Sequence, residues 1–179
     1  MSTTQIPERS AVIPRNAEPN APAARRHTSP SLWTRLLHTR DDAVATLLRL
    51  VLGVVMFPHG AQKALGLFGG YGFSGTMGFF TQQLHIPAVF AFLAIAAEFA
   101  GPLGLITGTL TRVAAFGIFC NMLVAAVLVH APAGFFMNWT GKQLGEGYEY
   151  HLLAMGLAIA VMVRGGGRLS VDRVIGKVE

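Results

Sequence analysis

The segment RLVLGVVMFPHGAQKALG, residues 49–66, is apolar enough to lie in lipid, yet it carries Arg49, His59 and Lys63. Glu98 and Asn121 sit inside later apolar runs, and Glu149 opens another. Ionisable side chains are costly at membrane depth, so they face a bundle interior, pair with one another and mark proton or ligand pathways. Histidine and lysine near one helix end can donate hydrogen bonds to a ligand. A buried carboxylate without a partner has a raised pKa and can carry protons. No metal is expected, because no HxxxH or comparable spacing accompanies the histidines and carboxylates. For Lys63, His130 and Glu149 the plain alternative is solvation of helix ends.

Helical spacing sorts these groups by face. At ~100° per residue, Gly53, Met56, Gly60 and Lys63 fall within ~40° of Arg49, and His59 lies ~80° round. Pro58 has no N–H to give the carbonyl of Val54, a gap that protein or water must fill. Glu98 lies near the middle of the second apolar run, beside a seam of Ala94, Ala97, Gly101, Gly104 and Gly108 that permits close helix approach. The expectation is an Arg49–Glu98 pair that locks the first two helices together; an unpaired Glu98 would instead be the proton carrier. Asn121 shares a stripe with Ala114, Gly117 and Ala125 and is expected to be an interhelical hydrogen-bond donor, with Cys120 pointing elsewhere. Glu149 has Gly156 and Ala160 below it on its face, and His151 points the other way. The expected site is an outward-opening cavity lined by His59, Lys63 and Glu149 and floored by Glu98. Arg49 and Asn121 are expected to be structural polar groups within the membrane.

These residues must be held by membrane helices. Of 179 residues, 52% are hydrophobic and 13% charged, and the mean hydropathy is +0.48. A soluble domain would need more charge to cover its surface. The spacing predicts an all-α membrane protein, a bundle of four helices over residues 43–175, with spans at about 43–63, 87–107, 112–130 and 148–163. The fourth is short for the ~20 residues that a bilayer demands. Residues 1–30 hold five prolines among small polar residues and are expected to form a disordered head. They lack the apolar core of a secretory signal, and Arg25-Arg26 is a weak match to a twin-arginine signal. Residues 31–42 read as an interfacial amphipathic segment with Trp33 at headgroup level, or as an extension of the first span.

Charge sets the expected orientation. Of 14 Lys and Arg residues, six precede the first span, Arg112 sits in the short second connection and four follow the fourth span. The positive-inside rule then places both termini in the cytoplasm of a plasma (inner) membrane protein. The long connections, 64–86 and 131–147, face outward. The net charge of +5 is not gathered into a patch that would suit nucleic acid. The single cysteine, Cys120, excludes an intrachain disulfide framework, a CxxC redox pair and cysteine-ligated clusters within the chain. Electron chemistry would need an organic cofactor or a partner protein.

The order of these features resembles the DoxX family of small four-helix membrane proteins. The matching residues are Arg49, Gly53, His59, Gly60 and Lys63, then Glu98 followed by small residues, GYEYHLL (147–153) and GGGRLSVD (165–172). The resemblance covers roughly residues 43–175 and leaves the proline-rich head outside. It implies a plasma-membrane protein of the kind described as an oxidoreductase subunit, with relatives that include a subunit of a thiosulfate:quinone oxidoreductase and proteins that associate with thiol redox partners.

Three functions follow as expectations. The first is a quinone-linked redox subunit: His59 and Lys63 would hold a quinone carbonyl or an anionic sulfur substrate, and Glu98 or Glu149 would move protons. Quinone is the cofactor that this reading admits; the residues alone imply none. The second is a non-catalytic scaffold that holds soluble redox proteins at the lipid bilayer. The third is a small-solute transporter, against which four short helices without an inverted repeat argue. An oligomer is compatible with each.

Overall fold

A computed structural model describes residues 32–176, so the proposed disordered head, residues 1–30, lies outside the described residues. Within them every regular element is helical. Leu32–Leu37 forms α1, and Asp42 then starts α2, Ala43–Leu65. The Asp42 carboxylate accepts hydrogen bonds from the backbone N–H of Val44 (2.8 Å) and Ala45 (3.2 Å), the capping arrangement that satisfies the free donors of a helix start. That cap separates α1 from α2, so α1 is a helix of its own rather than an extension of the first span. A short α3, Gly72–Gly78, runs into a π-helical turn, Phe79–Gln83. Then come α4, Ala88–Thr107, and α5, Thr111–Ala125. The α5 axis continues through a π-helical turn, Ala126–His130, and a 3-10 turn, Ala131–Ala133. The last two helices are α6, Glu149–Arg164, and α7, Val171–Ile175.

Contacts run from α2 to α4, α4 to α5, α5 to α6 and α6 back to α2, closing a ring. Its core is Leu52, Met56, Leu105, Ile118, Met122, Ala158 and Val161, all buried. Val54, Phe90, Leu93, Phe116, Val124 and Leu153 point outward and are exposed, as side chains solvated by lipid would be. Three helical stretches are long and apolar enough to cross a membrane: Ala43–Leu65, Ala88–Thr107 and Thr111–Ala133. The fourth wall of the ring, α6, has 16 residues.

Gly60 sets the register between α2 and α4. A methyl group there would lie 2.0 Å from the carbonyl oxygen of Glu98 and 2.7 Å from the Cα of Phe99. That carbonyl has no helical donor, because the residue four positions on is Pro102. The bare backbone of Gly60 therefore meets a carbonyl that its own helix leaves free, a contact that close-packed membrane helices favour. The face read from the sequence is the buried one: Arg49, Gly53, Met56 and Gly60 all pack inward.

The same register overturns the expected Arg49–Glu98 pair. The helices run antiparallel, with Gly60 beside Glu98 and Gly53 against Leu105 and Ile106. Arg49 is eleven residues from Gly60, about 16 Å of helical rise, which puts Glu98 out of its reach. Its guanidinium instead donates to backbone carbonyls: Nε to Gly166 (2.8 Å), Nη1 to Ile106 (2.8 Å) and to Leu105, and Nη2 to Leu169. Two of those carbonyls lie in the last turn of α4, where a cation complements the helix dipole. Arg112 does the same for α6, donating to the carbonyls of Met162 and Val163 (3.1 Å) and to that of His38 (2.9 Å).

The tail closes this end of the ring. Asp172 is buried and accepts from the N–H of Leu110 (2.7 Å) and Thr111 (2.8 Å), at the start of α5. Gly108, at φ 75°, admits the tail, since a side chain there would strike the Cβ of Ser170 at 2.5 Å. Outside, Arg164 pairs with Asp42, and Arg168 and Arg173 pair with Asp41. The hydrogen bonds from Arg168 and Arg173 hold the Asp41 carboxyl below its usual pKa.

Gly60→Ala should separate α2 from α4 and lower the thermal midpoint of the detergent-solubilised protein, at a cost of ~1–3 kcal/mol. Gly156→Ala, where a methyl group meets nothing within 4 Å, is the control and should be neutral or slightly stabilising. Equal midpoints for the two variants would remove Gly60 from the contact described.

Candidate functional site

At the end of the ring opposite the arginines, a cavity of about 280 Å³ opens between α2, α4, α5 and α6. Its floor is Glu98, whose side chain is 4% exposed. Lys63 Nζ donates to Glu98 Oε1 at 2.6 Å, and Asn121 Nδ2 donates to Oε2 at 2.6 Å. Each helix brings its group there for a local reason. Gly60 lets α2 approach so closely that Lys63, one turn on, overlies the carboxylate. Asn121 stands on the small-residue stripe of α5, where Gly117 would bring a methyl group 3.2 Å from Ala97 of α4. Asn121 is thus the interhelical donor expected, and it also lines the cavity.

The walls mix rings with soft apolar groups: Phe79 and Phe80 from the π-helical turn, Met56, Met122, Met137 and Tyr150. His59 is exposed at the mouth, with its ring 5.8 Å from that of Tyr150. Tyr150 directs its hydroxyl to the sulfur of Met56 at 3.1 Å. His151 is buried, 5.6 Å from Tyr150 and 4.1 Å from His130, measured between ring centres. His130 Nδ1 lies 2.8 Å from the carbonyl oxygen of Glu146. A carbonyl can only accept, so this nitrogen carries the proton and donates it. The contact ties the 134–148 connection across the cavity, where Met137 and Glu146 also reach the lining. Among the described residues no cluster of three or more His, Cys, Asp or Glu side chains is arranged to hold a metal.

Of the expected lining, His59, Lys63 and Glu98 meet at this cavity, whereas Glu149 does not line it. Glu149 accepts a hydrogen bond from the backbone N–H of Met137 at 3.2 Å and so anchors the connection. The inward stripe of α6 is His151, Ala154, Ala158 and Val161, because its alanines let α6 close on the core. Gly156, expected to lie inward with Glu149, is exposed. The helix is therefore turned by about half a revolution from the face expected, and His151 and Tyr150 enter the site in place of Glu149. The i, i+3, i+7 spacing of His151, Ala154 and Ala158 was the signal available for that stripe.

The chemistry on offer is hydrogen bonding against an aromatic wall. An ammonium has three N–H donors. Lys63 gives one to Glu98 and stays 30% exposed, so two remain for a ligand. His59 adds a polar ring at the mouth.

Long apolar helices closed into a ring, with a part-buried ion pair between them, define a helical membrane protein. Residues 44–131 match the DoxX family model, and the chain carries a DoxX domain. No curated protein and no solved structure matches the chain.

A double-mutant cycle on reversible unfolding tests the ion pair. Lys63→Met and Glu98→Gln should couple by ~0.5–3 kcal/mol, whereas Arg49→Met and Glu98→Gln should simply add. Additive costs for the first pair would exclude a functional contact between Lys63 and Glu98.

Proposed function

We propose that this DoxX protein is a redox-associated subunit of the plasma membrane whose cavity binds the ring of a quinone. The observation that carries the reading is the Lys63–Glu98–Asn121 group at the base of a cavity walled by Phe, Tyr, His and Met side chains. Ligand sites are concave, largely apolar, and fixed by a few polar groups. A quinone fits that description: its flat ring suits the aromatic walls, and its carbonyl accepts from the free N–H groups of Lys63. The family resemblance to oxidoreductase subunits supports the same reading. Electrons would pass to or from partner redox proteins, since the chain has no cysteine pair and no metal cluster of its own among the described residues.

In this reading α6 is the fourth span, and the arginine end of the ring faces the cytoplasm with both termini, in accord with the positive-inside rule. The cavity then opens outward.

Purified protein in detergent should bind a short-chain benzoquinone saturably, and His59→Ala should weaken that binding about tenfold, or 1.4 kcal/mol. Lack of saturable binding by the unsubstituted protein would overturn the proposal. Accessibility labelling of cysteines introduced at Gly141 and Val174 tests the orientation, the first being reachable from outside and the second from the cytoplasm.

A further inference from the structure

The arginine end of the ring carries positive charge that its own acidic groups do not neutralise. Asp41 accepts from Arg168 with one oxygen (2.8 Å) and from Arg173 with the other (2.7 Å). Asp42 accepts from Arg164 with one oxygen (2.8 Å) and caps α2 with the other. Both oxygens of Asp172 accept from the start of α5. Every carboxylate oxygen of these three residues is thus engaged. Among the described residues no acidic side chain pairs with Arg35, on α1, or with Arg40, just after it, and both are exposed.

The same surface exposes large apolar side chains. On α1, Leu32 is 71% and Trp33 63% exposed. Depth explains how both kinds of group stand open together. The Arg112 guanidinium donates to the His38 carbonyl and to carbonyls in the last turn of α6, and Arg112 is the second residue of α5. His38 is therefore level with the start of α5 and the end of α6. Trp33 is five residues back, so it lies within about 8 Å of that level. This is the depth of lipid headgroups, where indole rings and basic side chains gather.

We infer that this surface holds anionic phospholipid of the bilayer, with phosphate on Arg35 and Arg40 and acyl chain against Leu32 and Trp33. A guanidinium presents paired N–H donors that match a phosphate, and here no carboxylate competes for them. A zwitterionic lipid has the same phosphate but brings its own cation, so two unpaired arginines select the lipid with net negative charge. The surface is remote from the Glu98 cavity, and the inference does not depend on what that cavity binds.

Trp33 reports on this surface once Trp139, the other tryptophan of the chain, is replaced by phenylalanine. The full-length Trp139→Phe protein is placed in nanodiscs of equimolar phosphatidylglycerol and phosphatidylcholine. Bromine is carried near the headgroup end of the acyl chains of one lipid or of the other. Brominated phosphatidylglycerol should quench Trp33 fluorescence at least ~threefold more than brominated phosphatidylcholine. Arg35→Gln together with Arg40→Gln should bring the two to within about 1.5-fold of each other. Both arginines are exposed and unpaired, so the double variant keeps the fold. Equal quenching by the two lipids before that substitution, or an undiminished preference after it, overturns the inference. Quenching by neither lipid also overturns it, since another part of the chain would then cover Trp33.

Discussion

A carboxylate held at 4% exposure among apolar helices is the constraint around which this ring is built. Removing an ionised group from water costs several kcal/mol even after the protein relaxes, and only close, well-aligned partners offset it. Glu98 has two, and each depends on a separate packing decision. Lys63 reaches it because Gly60 brings α2 against α4; Asn121 reaches it because Gly117 and Ala97 bring α5 against α4. Three helices are thus indexed to one side chain. The cavity above Glu98 inherits its shape from that arrangement.

The opposite end solves a different problem. Helix C-termini leave carbonyls without intrahelical donors, and lipid offers none. Arg49 and Arg112 supply them to α4 and α6, and Asp172 supplies acceptors to the start of α5. The GGGRLSVD segment serves here as a plug: its glycines pass close to neighbouring backbone, its serine turns the chain, and its aspartate seats on the α5 N-terminus. One end of the ring is sealed by backbone hydrogen bonds, which leaves the other end free to open.

Much of this was legible in the sequence. The inward face of α2, the burial of Glu98, the packed stripe of Asn121 and the membrane helices follow from spacing and from the cost of charge in lipid. Two inferences failed for physical reasons. Pairing Arg49 with Glu98 took account of side-chain length but not of register, which a backbone contact at Gly60 decides and which no pattern of hydrophobicity encodes. Placing Glu149 inward treated a carboxylate as the group most in need of burial. Glu149 is met instead by a backbone N–H of the adjoining connection, and the alanine stripe of α6 decides which face turns in. Tyr150 and His151 were missed because that face was misjudged, and His130 gains its importance from a stacking partner remote in sequence.

Glu98 is in contact at both ends of its residue: the carboxylate meets the cavity, and the carbonyl, freed by Pro102, rests on Gly60. There is no slack at that second contact, so Glu98 cannot shift its backbone without moving α2. Lys63 stands on α2 one turn beyond Gly60, so the ion pair and the backbone contact join the same two helices. A molecule that draws Lys63 away from the carboxylate therefore loosens one of two neighbouring fasteners and loads the other. The α2–α4 crossing then rests on the Gly60 contact and the packing around it.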